Sequence, residues 1–159
     1  MKKNIITFLT LLFFFLLVFF AQLLGSLATS SHVEIWYRML NTPSWTPPGW
    51  VFTPVWTLLF ICIAMSGFFI FKGKESKYRS VALTLWTLQL IINTTWSFAF
   101  FYFQSPLLGA LDVSILAILI GATFAVAQKV TYAGAYFLLP YLGWVCFAAI
   151  LNWTIVYLN

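Results

Sequence analysis

The chain has 159 residues, of which 63% are apolar, 21% aromatic and 7% charged, whereas an ordinary soluble domain carries roughly 25% charged residues. This composition excludes a water-soluble globule. The net charge of +5 does not indicate nucleic-acid binding, because the basic residues flank apolar stretches instead of forming a water-facing surface with interleaved aromatics.

Long apolar segments account for most of the chain. Residues 4–33, 39–71, 80–111 and 130–159 contain no Asp, Glu, Lys or Arg. A membrane-spanning helix needs about 20 mostly apolar residues. We therefore predict an all-α integral membrane protein, a single domain over residues 1–159 folded as a five-transmembrane-helix bundle. The predicted spans are 5–28, 51–71, 80–103, 106–128 and 133–157.

The first span follows Lys2 and Lys3 directly. Its apolar run from Ile5 to Leu24 has 20 residues, which is longer than the roughly 7–15 residues of a signal-peptide core. A signal peptide cleaved near residues 26–28 is the alternative. The length of the run favours a retained membrane helix.

The connection 29–50 is the least generic segment. Residues 31–34 (Ser-His-Val-Glu) have the spacing of a capping box. The apolar residues that follow share one face of a short amphipathic helix: Val33, Trp36, Met39 and Leu40. Residues 41–50 then combine prolines, which fix an extended path, with tryptophans, which suit the headgroup zone. This stretch is either a rigid interfacial strap or a lid over a cavity between the helices.

The later connections carry ordinary membrane-protein signals. The charged loop 72–79 is typical of a solvated cytoplasmic loop. Ser105 followed by Pro106 predicts an N-cap and a tight hairpin between the third and fourth spans. Pro140 predicts a kink in the fifth span. Cys62 and Cys146 lie in the middles of two spans, which indicates small buried apolar residues instead of a disulfide or a metal pair.

The distribution of cations predicts the orientation. If the N-terminus is cytoplasmic, seven of the eight Lys and Arg residues lie inside, and only Arg38 lies outside. The C-terminus then faces outward.

Three predicted spans carry aromatic and polar side chains at intervals of three and four, which places them on one face of each helix. They are Thr53, Trp56 and Phe60 in the second span, Gln89, Asn93, Trp96, Ser97 and Phe100 in the third, and Tyr141, Trp144, Ala148 and Asn152 in the fifth. Six of the eight tryptophans also lie toward the predicted outer side. These faces either enclose a flat apolar ligand or only hold the bundle together.

Asp112 is the one carboxylate inside the predicted spans. It is either an anchor for a ligand, a hydrogen-bond partner of Asn93 or a tryptophan, or a structural carboxyl bonded in the interior. His32 is the one histidine, and no metal-ligand spacing, nucleophile with a histidine base, phosphate-binding glycine loop or opposed pair of carboxylates occurs. The sequence therefore predicts no metal site and no hydrolytic or phosphoryl-transfer chemistry.

Three motifs run through the chain. They are Trp36-Tyr37-x-x-Leu40-x-x-Pro43-x-Trp45-x-Pro47-Pro48-x-Trp50-x-Phe52-x-x-Val55-Trp56, Gln89-x-x-x-Asn93-x-x-Trp96-Ser97, and Leu138-Leu139-Pro140-Tyr141-x-x-Trp144-x-x-Phe147-Ala148-x-x-Leu151-Asn152. Together they resemble the TspO/MBR family, which comprises the tryptophan-rich sensory proteins of bacteria and the translocator (peripheral benzodiazepine receptor) proteins of mitochondria. The resemblance covers nearly the whole chain.

The resemblance implies a five-helix bundle, commonly a homodimer, with a ligand cavity beneath the first long loop. Family members are similar in binding porphyrins such as protoporphyrin IX, and some bind haem, sterols or synthetic ligands. Two departures matter. Thr42 stands where many members have a lysine that would meet a porphyrin propionate, and Tyr157 is not followed by the Lys or Arg of the sterol motif, so the resemblance does not extend to sterol binding.

We therefore expect a porphyrin-binding protein of a bacterial plasma membrane, in contact with lipid, that acts in tetrapyrrole handling or stress sensing and requires no cofactor. The expected ligand contacts are Tyr37, Trp56, Phe60, Asn93, Trp96, Asp112, Trp144, Ala148 and Leu151, and the expected lid is Trp45, Pro47, Pro48 and Gly49. Two rival functions start from the same pocket. One is light-dependent porphyrin breakdown with Trp56 or Trp144 as redox partner, and the other is transport of tetrapyrroles or other small molecules.

Overall fold

The computed structural model describes residues 2–28 and 31–159, with the side chains of 31–34 excepted. All regular structure in this part of the chain is helical. The helices are α1 (Lys2–Ser26), α2 (Ser31–Met39), α3 (Gly49–Lys72), α4 (Lys77–Ser97), α5 (Pro106–Ala127), α6 (Tyr132–Tyr136) and α7 (Leu139–Leu158), with a π-helical turn, Phe98–Tyr102, directly after α4.

Four helical stretches of the described chain are long and apolar enough to cross a membrane: Lys2–Ser26, Gly49–Lys72, Pro106–Ala127 and Tyr132–Leu158. The remaining predicted span, 80–103, is helical as α4 and the π-helical turn. It is not among the four, and its sequence is rich in threonine and carries Gln89 and Asn93. Membrane crossing is thus supported for four of the five predicted spans and stays a prediction for α4.

The fifth predicted span is two helices, not one kinked helix. Helix α6 ends at Tyr136, and Pro140 lies in the first turn of α7. Proline is tolerated in a first turn because the backbone N–H that it lacks has no intrahelical partner there. The predicted kink within a continuous helix is therefore replaced by a break at residues 137–138.

The hairpin between α4 and α5 forms as predicted. The Ser105 hydroxyl accepts a hydrogen bond from the Leu108 N–H at 3.3 Å, and Pro106 occupies the first turn of α5. The tight connection also requires Gln104 at a φ of 50°, a conformation that residues other than glycine seldom adopt. The capping box predicted at 31–34 lies outside the described side chains, but the helix that it predicts is present as α2.

Helix α4 packs against α1, α3 and α5, while α7 packs against α5 and α3. The half of the bundle nearer the loop 72–79 is here called the lower half. It is a close-packed apolar core built around Ile63, Trp86 and Ile120. The Trp86 indole N–H is satisfied there by the Ile63 carbonyl at 3.0 Å. Helix α1 buries only Phe14, Val18 and Gly25 and turns its other apolar side chains outward.

The positively charged side chains of the described chain gather at the lower end of the bundle, with the exception of Arg38. Lys77 and Lys129 approach the Tyr78 ring at 5.3 and 4.9 Å, and Arg79 pairs with Glu75 at 2.6 Å. The bundle thus has one basic end, as the predicted orientation requires.

On α2, Trp36, Tyr37 and Leu40 pack inward, while Met39 is 71% exposed. One sequence-based expectation about burial is wrong in part. Both cysteines are free, and Cys62 is buried as expected, but Cys146 lies exposed on the outer surface of α7. The sequence does not distinguish lipid-facing from core-facing positions when a helix is apolar on all sides.

A hydrogen bond connects α4 to α7 inside the bundle. The Asn93 Nδ2 donates to the Tyr141 hydroxyl at 2.9 Å, and Tyr141 is completely buried. Unbonded amide groups are costly where no water is present. This bond marks the boundary between the packed lower half and the end of the bundle described below.

Substitution of Gly67 by alanine is expected to loosen α1. A Cβ atom there would lie 2.6 Å from Phe14 Cδ1 and 2.7 Å from Trp86 Cε2, and neither ring can move freely. Overpacking of this kind costs about 1–3 kcal/mol, so the thermal denaturation midpoint in detergent should fall. Gly121→Ala is the matched control, since a Cβ there meets nothing within 4 Å. Equal midpoints for the two variants would contradict the packing of α1.

Tyr141→Phe removes the acceptor of the Asn93 amide, and we expect a loss of stability of about 0.6–2 kcal/mol. The measurement is a double-mutant cycle with Asn93→Leu, followed by thermal denaturation. If the two side chains are bonded, the double variant loses less stability than the sum of the single variants. Additive losses would show that the bond does not contribute.

Candidate functional site

A cavity of about 850 Å³ occupies the end of the bundle opposite the basic end. Its walls come from the end of α2, residues 42–49, the start of α3, the end of α4, the π-helical turn, the first half of α5 and most of α7. A volume in the range of roughly 300–1,000 Å³ is typical of small-molecule sites. The cavity lies at the end that the cation count predicts to face outward.

Aromatic rings from α3 and α7 form part of the cavity wall. Trp56 stacks on Phe60 with ring centroids 5.3 Å apart, and Trp144 meets the edge of the Phe52 ring at 5.8 Å. Because these neighbours fix the two indoles, Trp56 and Trp144 present preformed apolar surfaces to the cavity. Flat aromatic ligands favour such surfaces, since stacked and edge-to-face rings attract each other beyond simple burial.

The π-helical turn forms a further part of the cavity wall. The Phe103 N–H bonds to the Phe98 carbonyl at 2.9 Å, which is the five-residue spacing of a π-helix. The widened turn directs both Phe100 and Phe101 toward the cavity. Phe100 is 2% exposed and stacks on Trp96, with ring centroids 5.3 Å apart and planes 13° apart.

Few polar atoms face this aromatic interior. The Asn93 side chain lines the cavity while bonded to Tyr141. The Asn152 Nδ2 donates to the Ala148 carbonyl at 2.8 Å, but its Oδ1 is buried with no protein partner in the described chain, and the same holds for the Trp96 Nε1. Both atoms are buried, and Asn152 Oδ1 lies toward α5, 3.1 Å from the place of a Cβ atom at Gly109, so neither is open to a molecule in the cavity.

Residues 41–48, here called the lid segment, cover the outer end of the cavity. Within it Thr42, Pro43, Ser44, Thr46 and Pro47 line the cavity. The Thr46 hydroxyl and backbone N–H both donate to the Pro43 carbonyl, at 2.7 and 3.0 Å, which folds the segment into a turn. The Trp45 ring lies outside the cavity and packs on Phe147 of α7, with ring centroids 5.8 Å apart.

Tyr37 adds a hydroxyl from α2, next to the lid segment. Its ring contacts Phe100 and Phe101 at 6.2 and 6.1 Å. Burial raises the pKa of Tyr37 above its ordinary value of 10.0. The hydroxyl therefore stays protonated at physiological pH and is able to donate a hydrogen bond into the cavity.

The structure brings most of the predicted ligand contacts together around one cavity. These are Tyr37, Trp56, Asn93, Trp96, Trp144, Ala148 and Leu151, with Pro47 and Gly49 from the predicted lid. Trp45 and Pro48 do not line it. Phe60 lies behind Trp56, where it lines a smaller neighbouring cavity of about 240 Å³ between α1, α3 and α4.

Asp112 lies outside both cavities. Its Oδ2 accepts a hydrogen bond from the Thr95 hydroxyl at 2.8 Å, so the carboxyl connects α5 to α4. The partner is thus Thr95, whereas one sequence-based interpretation expected Asn93 or a tryptophan. The arrangement corresponds to the structural alternative, a bonded interior carboxyl.

Several lining residues were not predicted. Val113 and Leu116 of α5 and Ile155 of α7 line the cavity with no polar or aromatic signal, although Ile155 continues the three-and-four spacing of Ala148 and Leu151. Phe101 faces inward only because of the π-helical turn, and its sequence position gives no sign of this. In the described chain, no three His, Cys, Asp or Glu side chains lie together as a metal site would require.

Comparison with known proteins identifies the family. Residues 13–158 match the TspO/MBR family. The tryptophan-rich protein TspO of Chlorobaculum tepidum is 40% identical and covers 100% of this chain and 99% of its own length. The protein of the same name from Archaeoglobus fulgidus is 38% identical, with 85% and 87% covered, and the translocator protein of Bos taurus is 32% identical, with 82% and 78% covered. The chain therefore belongs to the TspO/MBR family, as its motifs predicted.

Proposed function

We propose that this membrane protein binds a porphyrin in the cavity beneath the lid segment, and that the occupied protein serves tetrapyrrole handling or stress sensing. The observation that carries the proposal is the cavity of about 850 Å³ with Trp56 and Trp144 on its sides. A planar macrocycle would lie against these indoles. Stacking on each ring contributes about 0.5–1.5 kcal/mol beyond the burial of apolar area.

The polar side chains of the lid segment suit the propionates of a porphyrin. The hydroxyls of Thr42 and Ser44, which line the cavity from the lid segment, would donate to propionates at the outer end. These neutral donors would take the place of the lysine that many family members carry where this chain has Thr42.

The lining favours a metal-free porphyrin over haem. None of the described lining residues is His, Cys or Met, which are common axial ligands of haem iron. The Tyr37 oxygen is the one lining atom of a known ligand type. Protoporphyrin IX is therefore the preferred member of this ligand class.

The packing below the cavity favours binding over passage. Tyr141, Ile63 and Trp86 are at most 1% exposed, so an apolar core closes the inner side. Gln89, the one amide buried at that depth in α4, lines neither of the cavities described above. A transporter would instead need a polar route through this half.

Light-dependent porphyrin breakdown is the second candidate function. Trp56 and Trp144 both line the cavity, so a bound porphyrin excited by light would lie within contact of two oxidisable indoles. Dioxygen would supply the oxidant. This alternative requires no acid–base residues, in keeping with the apolar lining.

The membrane arrangement belongs to the same proposal. Helix α4 would be the fifth crossing, since it packs between α1, α3 and α5, three helices apolar enough to span. The basic end would face the cytoplasm of a bacterial plasma membrane, which places the cavity outward. Association into a homodimer stays a prediction from the family resemblance.

Ala148→Thr is expected to weaken porphyrin binding about tenfold or more, because it adds two heavy atoms to a wall of the cavity, and overpacking costs about 1–3 kcal/mol. The measurement is quenching of tryptophan fluorescence during titration with protoporphyrin IX. The variant keeps all eight tryptophans, so the curves compare directly with those of the unmodified protein.

Ala149→Thr is the matched control, since Ala149 is the next residue in the chain but does not line this cavity. It should bind protoporphyrin IX as the unmodified protein does. Equal affinity of Ala148→Thr, Ala149→Thr and the unmodified protein would contradict the assignment of the cavity as the binding site.

Illumination of the purified protein with protoporphyrin IX in air tests the second candidate. Breakdown predicts a new absorption spectrum that is lost in Trp144→Phe and kept in Trp153→Phe, because Trp153 lies outside the cavity and bonds to Ser114 at 3.0 Å. The same spectrum in both variants would exclude Trp144 as the redox partner.

A further inference from the structure

Asn159, the residue after α7, pairs with the backbone of Asn41. The Asn41 N–H donates to Asn159 Oδ1 at 2.9 Å, and Asn159 Nδ2 donates to the Asn41 carbonyl at 2.9 Å. This side-chain amide bonds to both the backbone N–H and the backbone C=O of one residue, as a neighbouring β-strand would. It therefore fixes the position and direction of the backbone at that residue.

The Asn159 amide is itself oriented by α7. Its Nδ2 also donates to the Ile155 carbonyl at 2.8 Å, in the last turn of the helix. The Asn41 side chain adds a longer bond of 3.3 Å, from Nδ2 to the Leu158 carbonyl. An exposed hydrogen bond contributes little alone, but these bonds converge on one amide that the helix already holds in place.

Asn41 is the first residue of the lid segment. Tyr37, four residues earlier, and Thr42, the next residue, both line the cavity. The second attachment of the lid segment, Trp45 on Phe147, is also to α7. The lid segment is thus held to α7 at two places.

We propose that Asn159 is a positioning residue that keeps the lid segment closed over the cavity. The proposal rests on the proposed function only for its ligand, because the Asn41–Asn159 pair itself exists without a ligand. Opening requires the Asn41–Asn159 pair to break, so the strength of this pair sets how often a bound porphyrin escapes outward. Asn41 contributes its backbone N–H and C=O, whereas Asn159 contributes its side chain. Substitution of Asn159 should therefore release the lid segment, while substitution of the Asn41 side chain should have little effect.

The test compares Asn159→Ala with Asn41→Ala in nanodiscs. Asn159→Ala removes both backbone bonds, so amide hydrogen exchange in residues 41–46 should become roughly tenfold faster in the ligand-free protein. Asn41→Ala removes only the 3.3 Å side-chain bond and should leave the exchange within about twofold of the unmodified protein. Exchange in the core of α3 and α5 should be unchanged in both variants, which shows that the fold is intact.

The second measurement is the dissociation rate of protoporphyrin IX, which should rise roughly tenfold in Asn159→Ala and stay near the original rate in Asn41→Ala. Unchanged lid exchange in Asn159→Ala, equal effects of the two variants, or faster exchange with unchanged dissociation would each overturn the proposal. If the unmodified protein binds no protoporphyrin IX, the proposed function fails, and the exchange measurement alone then decides whether Asn159 holds the lid segment.

Discussion

The hydrogen bond from Asn93 to Tyr141 divides this bundle into two halves with different physical character. An amide in an apolar environment must find a partner, and Asn93 finds it on α7 across the bundle axis. Below the bond, aliphatic side chains and Trp86 fill the space between the helices. Above it, the α4 and α7 side chains are large aromatics and small residues that do not fill the space, so a cavity remains.

The hollow half is rigid because its aromatic rings hold one another. Trp56 packs on Phe60, Trp144 on Phe52, and Trp96 on Phe100. A preformed apolar cavity loses little conformational entropy when a flat molecule enters. The lid segment differs in kind, since turns and exposed hydrogen bonds hold it, and such segments open more readily than a packed core. The same bundle thus combines a fixed binding surface with a cover that is able to move.

Much of this arrangement was predictable from the sequence. Apolar length predicted the spans, Ser105 and Pro106 predicted the hairpin, and the three-and-four spacing on α3, α4 and α7 placed Trp56, Asn93 and Trp144 around one space. These signals are local and periodic, so one sequence reveals them. The prolines and tryptophans of residues 41–50 already indicated a strap or a lid, and the family resemblance added Tyr37, which periodicity alone does not connect to the cavity.

Other features depend on contacts between distant segments, which no local pattern encodes. The partner of Asp112 is Thr95, on the neighbouring helix of the hairpin. The π-helical turn moves Phe101 inward by adding a residue to one turn. The break before α7 converts a predicted kink into two helices, and Cys146 faces outward on a helix whose composition is apolar on every side. The pairing of Asn41 with Asn159 spans 118 residues and leaves no trace in either local sequence.

The most direct test of the account is an experimentally determined structure of the protein with protoporphyrin IX bound. The account predicts density for the macrocycle inside the bundle, flanked by Trp56 and Trp144 and covered by Pro47, with the Asn93–Tyr141 bond intact beneath it. A macrocycle bound on the lipid-facing surface, with the space above Tyr141 filled by side chains, would contradict it.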